Sequence, residues 1–265
     1  MSGFYIGVDG KARKVKGGYI GIDGKARKIK KGYIGDANGV ARLCWTAFSV
    51  DPVFANNTWE QIAEACHTRQ VPESWAVGDK KTMTVNGTSY TIDIIGKNHD
   101  DYADGSGKAP LTFQFNACYT TSYAMNNTDI NSTGWMSSVM RQTNMPAILA
   151  KMPAEVQSAI REVTKKTSKG VSSSQIINTS DKLFLLSEIE AAGTTGSSFD
   201  GEGSQYAYYA AGRSKAKKAG SSYKSWYLRS PYKSNNSSFC CINSSGVVAN
   251  GNASMALYAA PAFCF

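Results

Sequence analysis

Trp226-Tyr227-Leu228-Arg229-Ser230-Pro231 and the closing Pro261-Ala262-Phe263-Cys264-Phe265 bracket the stretch that decides how this chain is read. Between them, Tyr232–Tyr258 consists mostly of Ser, Asn, Gly, Ala and Val, with a Tyr at each end. A core would need larger apolar side chains there, and a linker has no reason to be fastened at both ends by aromatics. Ser, Asn and Gly supply adaptable hydrogen bonding and Tyr supplies rigid amphipathic contact area, the mix found in paratopes. The expectation is a binding surface held on a rigid frame. Its candidate ligand-binding residues are Tyr232, Ser234, Asn235, Ser237, Ser238, Cys241, Asn243, Ser245, Val247, Ala249, Asn250, Asn252, Ser254, Leu257 and Tyr258. Trp226, Leu228, Phe263 and Phe265 are expected in the core beneath it.

Upstream, local signals place several elements. Thr58-Trp59-Glu60-Gln61 has the form of a capping box, and Ile62, Ala65 and Cys66 continue a helical stripe. Lys81–Val85, Asn86-Gly87 and Thr88–Ile95 read as a hairpin, because a two-residue turn needs positive φ. A helix is expected over Gly134–Lys151, interrupted near Pro146, and another from Pro153 through Val156, Ile160 and Val163. Asp181–Ser187 reads as a buried strand, Glu188–Ala192 as a short helix and Tyr206–Tyr209 as an aromatic cluster. Short strands are expected around Trp226–Arg229, Phe239–Ile242 and Ala259–Phe265. Helices followed by many short strands and long loops indicate an α+β fold.

The first 45 residues are different. Tyr5–Arg13 recurs as Tyr19–Arg27 and again, with one inserted residue, as Tyr33–Arg42, a spacing of fourteen. Each unit pairs a short Tyr-Ile-Gly strand with a second strand across Asp9-Gly10, Asp23-Gly24 or Asn38-Gly39. One such hairpin cannot bury its apolar face alone, so neighbouring chains are expected to cover it. This segment also carries ten cations against three aspartates, a net +7, which leaves only +2 for the other 220 residues. No aromatic platform with nucleic-acid spacing accompanies the basic stripe. The reading is therefore a solvated strand face that also discourages edge-to-edge aggregation, not a specific nucleic-acid surface. The division expected is residues 1–45 for hairpin repeats and 46–265 for the globular domain.

Few residues suggest catalysis. The six cysteines (Cys44, Cys66, Cys118, Cys240, Cys241, Cys264) include no Cys-x-x-Cys pair, so zinc is not expected and buried free thiols are. With two histidines in the chain, acid–base chemistry has few candidates. His99-Asp100-Asp101 with Asp104 is the best metal candidate, but a loop whose carboxylates serve local backbone amides is the preferred reading. No cofactor, metal or catalytic residue is expected. No apolar run is long enough to cross a bilayer, and Met1–Tyr5 shows no secretory signal, so neither membrane insertion nor signal-peptide export is expected.

The flanking motifs, with Phe239-Cys240, Gly246, Ile94–Asp101, Gly134-Trp135-Met136, Ser180–Ser187 and Glu202-Gly203, resemble the variable proteins of diversity-generating retroelements over roughly residues 75–265. The resemblance implies a C-type-lectin-like domain whose varied positions arise from rewritten asparagine codons. Such rewriting cannot yield Lys or Met, so Lys233 and Met255 are expected to be fixed. It also implies a receptor-binding, host-adhesion protein of a phage or prophage tail, carried on the virion. Its partners would be a bacterial surface protein or glycan, and tail or baseplate proteins reached through the N-terminal repeats. Glycine-rich repeats of this kind resemble the prism-like segments of trimeric phage fibres, so a homotrimer is expected. The Glu-Pro-Asn and Gln-Pro-Asp signatures of calcium-dependent sugar binding do not occur. Alternatives are a cell-envelope-degrading or cysteine-dependent enzyme on the same scaffold, and a bacterial diversified ligand-binding protein. Formylglycine-generating enzymes also use this fold with a cysteine pair. Adjacent Cys240 and Cys241 should face opposite sides of a strand, Cys240 inward and Cys241 outward, which suits no shared site.

Overall fold

The computed structural model of the chain describes residues 49–265 except 133, and N-terminal to these residues 5–8, 11–14, 19–22, 24–29, 31–35 and 41–46. It divides into two compact units, residues 1–51 and 52–265. In the first, three antiparallel hairpins follow one another: Tyr5–Val8 with Lys11–Lys14, Tyr19–Ile22 with Lys25–Lys28, and Lys31–Gly35 with Ala41–Thr46. Among the described residues each strand pairs only within its own hairpin. Gly24 takes the positive φ (+71°) that a tight turn requires. The turns at Asp9-Gly10 and Asn38-Gly39, Asp23 and the side chain of Cys44 lie outside the described residues.

The second unit is α+β, with antiparallel strands predominating over short helices. Its main sheet runs, edge to edge, Leu183–Phe184, Ala262–Cys264, Leu111–Phe115, Thr88–Lys97 and Lys80–Val85. The C-terminal strand is therefore interior, with Phe263 opposite both Leu183 and Phe113. Leu111–Phe115 is buried at every position, so both faces of the sheet are covered. Phe113 and Phe263 lie on one face with Phe265 beside them, and Trp59 meets all three rings at 5.8 to 6.5 Å. Trp59 opens the helix Trp59–His67, whose capping box is formed as the sequence implies: Thr58 Oγ1 accepts the Gln61 amide and Gln61 Oε1 accepts the Thr58 amide. Thr112 and Gln114 point to the opposite face, which is polar.

A second, three-stranded sheet is an antiparallel meander of Trp226–Pro231, Ser238–Ile242 and Val248–Asn252. The strand Val248–Asn252 escapes the sequence reading because Val-Ala-Asn-Gly-Asn has little strand propensity; pairing with Ser238–Ile242 imposes it. Trp226, Leu228, Phe263 and Phe265 are fully buried.

Some expectations fail for identifiable reasons. The helix expected from Gly134 begins only at Met140, as a π-turn over Met140–Asn144 that passes into an α-helix at Met145–Leu149. Gly134 has φ +56° and a Cβ there would fall 2.1 Å from the Ser168 carbonyl, so the chain turns to let a hairpin approach. The helix after Pro153 stops at Ala159, and Val163 instead opens a long hairpin, Val163–Gly170 with Ser173–Asp181. Its tip is unusual. Val171 (φ +52°) and Ser172 (φ +53°) both lie in the left-handed region. A β-branched residue is strained there by about 1–2 kcal/mol.

Candidate functional site

The Arg229 of the flanking motif is the hinge between frame and surface. Its guanidinium is fully buried and all of its donors are used. Nη1 and Nη2 bond the two oxygens of Glu190; Nε donates to the Lys166 carbonyl (3.1 Å), Nη1 to that of Leu185 (2.9 Å) and Nη2 to that of Glu202 (2.7 Å). Glu190 also closes the capping box of the helix Glu188–Ala192 by accepting the Ser187 amide. Its other oxygen lies 2.7 Å from the ammonium of buried Lys165. Lys165 in turn bonds Asp100 at 2.6 Å, and Asp100 accepts hydrogen bonds from Tyr206 (2.8 Å) and Thr112 (2.6 Å). Two carboxylates and two cations thus alternate with their charges balanced, which is what burial demands. Burial pushes the carboxyls of Asp100 and Glu190 up, but the adjacent cations outweigh it: Asp100 is held at about 2 and Glu190 below its ordinary value. Glu202 goes the other way. Its burial outweighs Arg229, the Ser230 hydroxyl and the Ser168 amide, and the carboxyl is raised.

A polar pocket of about 340 Å³ opens beside this network, lined among others by His99, Lys108, Lys166 and the Gly201–Ser204 loop. The metal candidates of the sequence diverge here. Asp100 is buried, Asp101 is exposed and paired with Lys108, and Asp104 is exposed and paired with Arg161. His99, Asp100 and Glu190 do bring one ligand atom each within 4.8 Å of one another. The Lys165 ammonium already bonds both carboxylates, however, and their charges outweigh its burial to keep it protonated. A side-chain cation thus already pairs with two of the three groups. His99 stacks on Tyr206 at 4.0 Å, and burial lowers its pKa.

The five described cysteines are free and buried. Burial pushes the thiols up, Cys118 to about 12 and Cys241 to about 11, so at neutral pH they are thiols rather than nucleophilic thiolates. The expectation that Cys241 points outward is wrong. It does face away from Cys240, beside Tyr227 and Ala249 across the ladder, but it is only 3% exposed. That face is roofed by the loop after Asn252: Tyr227 donates its hydroxyl to the Met255 carbonyl (2.9 Å), and Leu257 closes over Gly251. Ser238 is buried as well. Neither residue can meet a ligand directly. Of the remaining candidates, Ser234, Ser245, Val247, Asn250, Asn252 and Ser254 are exposed; Tyr232, Asn235, Ser237, Asn243, Ala249, Leu257 and Tyr258 are half-buried.

What fixes these loops comes mostly from outside them. Fully buried Asn131 donates its side-chain amide to the carbonyls of Asn235 (2.9 Å) and Ser238 (2.8 Å), and its backbone amide to that of Asn236 (2.7 Å). Asp129 accepts from the amide and hydroxyl of Ser254 and from the Asn252 side chain. Two candidates are themselves structural. Asn235 Oδ1 accepts the amides of Ser237 and Ser238, and Asn243 Oδ1 accepts those of Ser245 and Val247, each forming a side-chain-stabilised turn. The sequence reading missed Asn131, Lys165, Glu190 and Arg229 as the supports. A lysine in the alternating Val163-Thr164-Lys165-Lys166-Thr167 run looks exposed, and no local signal says otherwise.

A family model, Domain of unknown function (DUF6273), matches residues 112–265, which take in the second sheet, the loops and all of the network except His99 and Asp100. No curated protein and no solved structure matches the chain. With more than half of its length matched, the chain belongs to the family defined by the DUF6273 domain.

Proposed function

We propose that this chain is a host-adhesion protein of a phage or prophage tail, whose residues 232–258 are a retroelement-diversified surface on a C-type-lectin-like domain. The observation that carries the reading is the support of that segment from behind. Buried Asn131 and Tyr227 hold its backbone from behind and exposed Asp129 ties Ser254 at the surface, while side chains such as Ser234, Ser245, Val247 and Asn250 lie outward. A surface built this way can change its outward residues without losing its loops. The N-terminal hairpins would join three copies and attach them to the particle, multiplying weak single-site binding through effective concentration. Among the described residues no helix is long and apolar enough to cross a membrane. A cysteine-dependent enzyme draws no support from thiols that are buried and protonated.

The test applies full-length protein to a panel of intact bacterial strains. Ser245→Arg and Asn250→Arg should abolish adhesion and leave the thermal midpoint unchanged. Adhesion to no strain, or adhesion indifferent to both changes, refutes the recognition reading. A monomer by light scattering refutes the trimer.

A further inference from the structure

We infer that the polar pocket beside the buried charge network binds a small molecule through an oxyanion, a carboxylate or a phosphate, with Lys166 as its counter-ion. No residue of 232–258 lines this pocket, so the inference stands apart from the recognition reading. The charges around the pocket leave one cation over. Asp100 and Glu190 share Lys165 and Arg229, two carboxylates against two cations. Asp101 pairs with Lys108 at 2.9 Å. Both oxygens of Glu202 are occupied, one by the Ser168 amide and one by the Ser230 hydroxyl, and burial pushes its carboxyl toward the neutral form. Lys166 remains. It is exposed, its cross-strand neighbour is the uncharged Asn178, and its ammonium meets no carboxylate among the described residues.

The uncharged groups of the lining add donors to that cation. The backbone amides of Gly201, Gly203 and Ser204 and the hydroxyls of Thr164 and Ser204 form no hydrogen bond among the described residues. The ring of His99 has none either, and a neutral imidazole carries one N–H in either tautomer. An oxyanion accepts from several such donors at once and balances the charge of Lys166. A cationic ligand finds the opposite situation, since every carboxylate of the lining already has its partner. At about 340 Å³ the pocket also falls within the range of small-molecule sites.

The experiment titrates full-length protein with sodium acetate or sodium phosphate, against sodium chloride of equal ionic strength. The rise in thermal midpoint reads binding, and diethyl pyrocarbonate labelling of the histidines, followed by mass spectrometry, locates it. Acetate, phosphate or both should raise the midpoint and slow the labelling of His99. Labelling of His67, whose ring bonds the Ala159 carbonyl outside the pocket, should not change. Lys166→Met should leave the anion-free midpoint unchanged and weaken binding about tenfold, while Lys166→Arg retains it. Lys169→Met removes another exposed lysine of the same strand, outside the pocket, and should bind as the parent does. A response to acetate alone identifies the ligand group as a carboxylate, and a response to phosphate alone as a phosphate. No rise with either anion, equal rises in the parent and Lys166→Met, or unprotected His99 overturns the inference and leaves the recognition reading untouched.

Discussion

Replacing Asn131 with alanine should damage the protein far more than replacing any outward asparagine of the candidate surface. The Asn131 side chain is fully buried and serves three backbone groups at 2.8 to 2.9 Å: the carbonyls of Asn235 and Ser238 and the amide of Val171. Alanine leaves all three without that partner. A buried group stripped of its hydrogen bond costs about 1–3 kcal/mol; the Ser238 carbonyl keeps the Tyr232 amide and the other two groups are only partly buried, so the loss should be about 2–3 kcal/mol. For a unit the size of residues 52–265, each kcal/mol shifts Tm by about 2–4 °C, which places the drop at about 5–10 °C. Asn235→Ala and Asn243→Ala each remove one side-chain-stabilised turn and should cost about 1 kcal/mol. Asn250→Ala, on the exposed edge strand, should stay within about 0.5 kcal/mol of the parent. Thermal unfolding followed by tryptophan fluorescence reads this unit well, since Trp59, Trp75, Trp135 and Trp226 are all buried in it. If Asn250→Ala costs as much as Asn131→Ala, the loops are not held from behind and the recognition argument collapses.

The charge network makes two further predictions. Asp100 and Glu190 have lowered folded-state pKa values, so their contribution is intact above the ordinary carboxylate range and is lost as pH falls toward 2; acid unfolding should steepen below about pH 4. Glu202 has the opposite sign: its raised pKa means stability present below its ordinary value is lost as pH rises through the folded one. Glu202→Gln should therefore match the parent near pH 4 and exceed it at pH 7, and a parent that is the more stable at pH 7 would contradict this. Arg229→Met strips Glu190 of its two-pronged partner and removes one donor from each of the Lys166, Leu185 and Glu202 carbonyls, the last of which keeps the Ser187 hydroxyl. Urea denaturation should register a loss of about 3–5 kcal/mol, and a loss under 1 kcal/mol would show the network to be dispensable.

Elements with a local physical signature are legible without the fold. Thr58 and Gln61 cap a helix through contacts within one turn, and Asn86-Gly87 closes a hairpin because both residues tolerate positive φ (+47° and +78°). Gly193 ends the helix begun at Glu188 for the same reason, at φ +71°. The burial of Trp226, Leu228, Phe263 and Phe265 follows from their size and apolar character.

Tertiary structure alone decided where those pieces meet. Phe263 becomes an interior strand residue between Leu183 and Phe113, partners far away along the chain. Val163 leaves an expected helix because hairpin pairing with Asp181 outweighs its place in a helical stripe. Cys241 alternates as a strand residue should, yet it is buried, because a loop from further along the chain roofs its face. Asp100, Lys165, Glu190 and Arg229 come from four separate segments, and nothing near each in sequence marks it as buried. Local bonding and turn preferences act over a few residues and can be read directly. Charge pairing in a desolvated core depends on which distant segments are packed together, and only the folded chain fixes that.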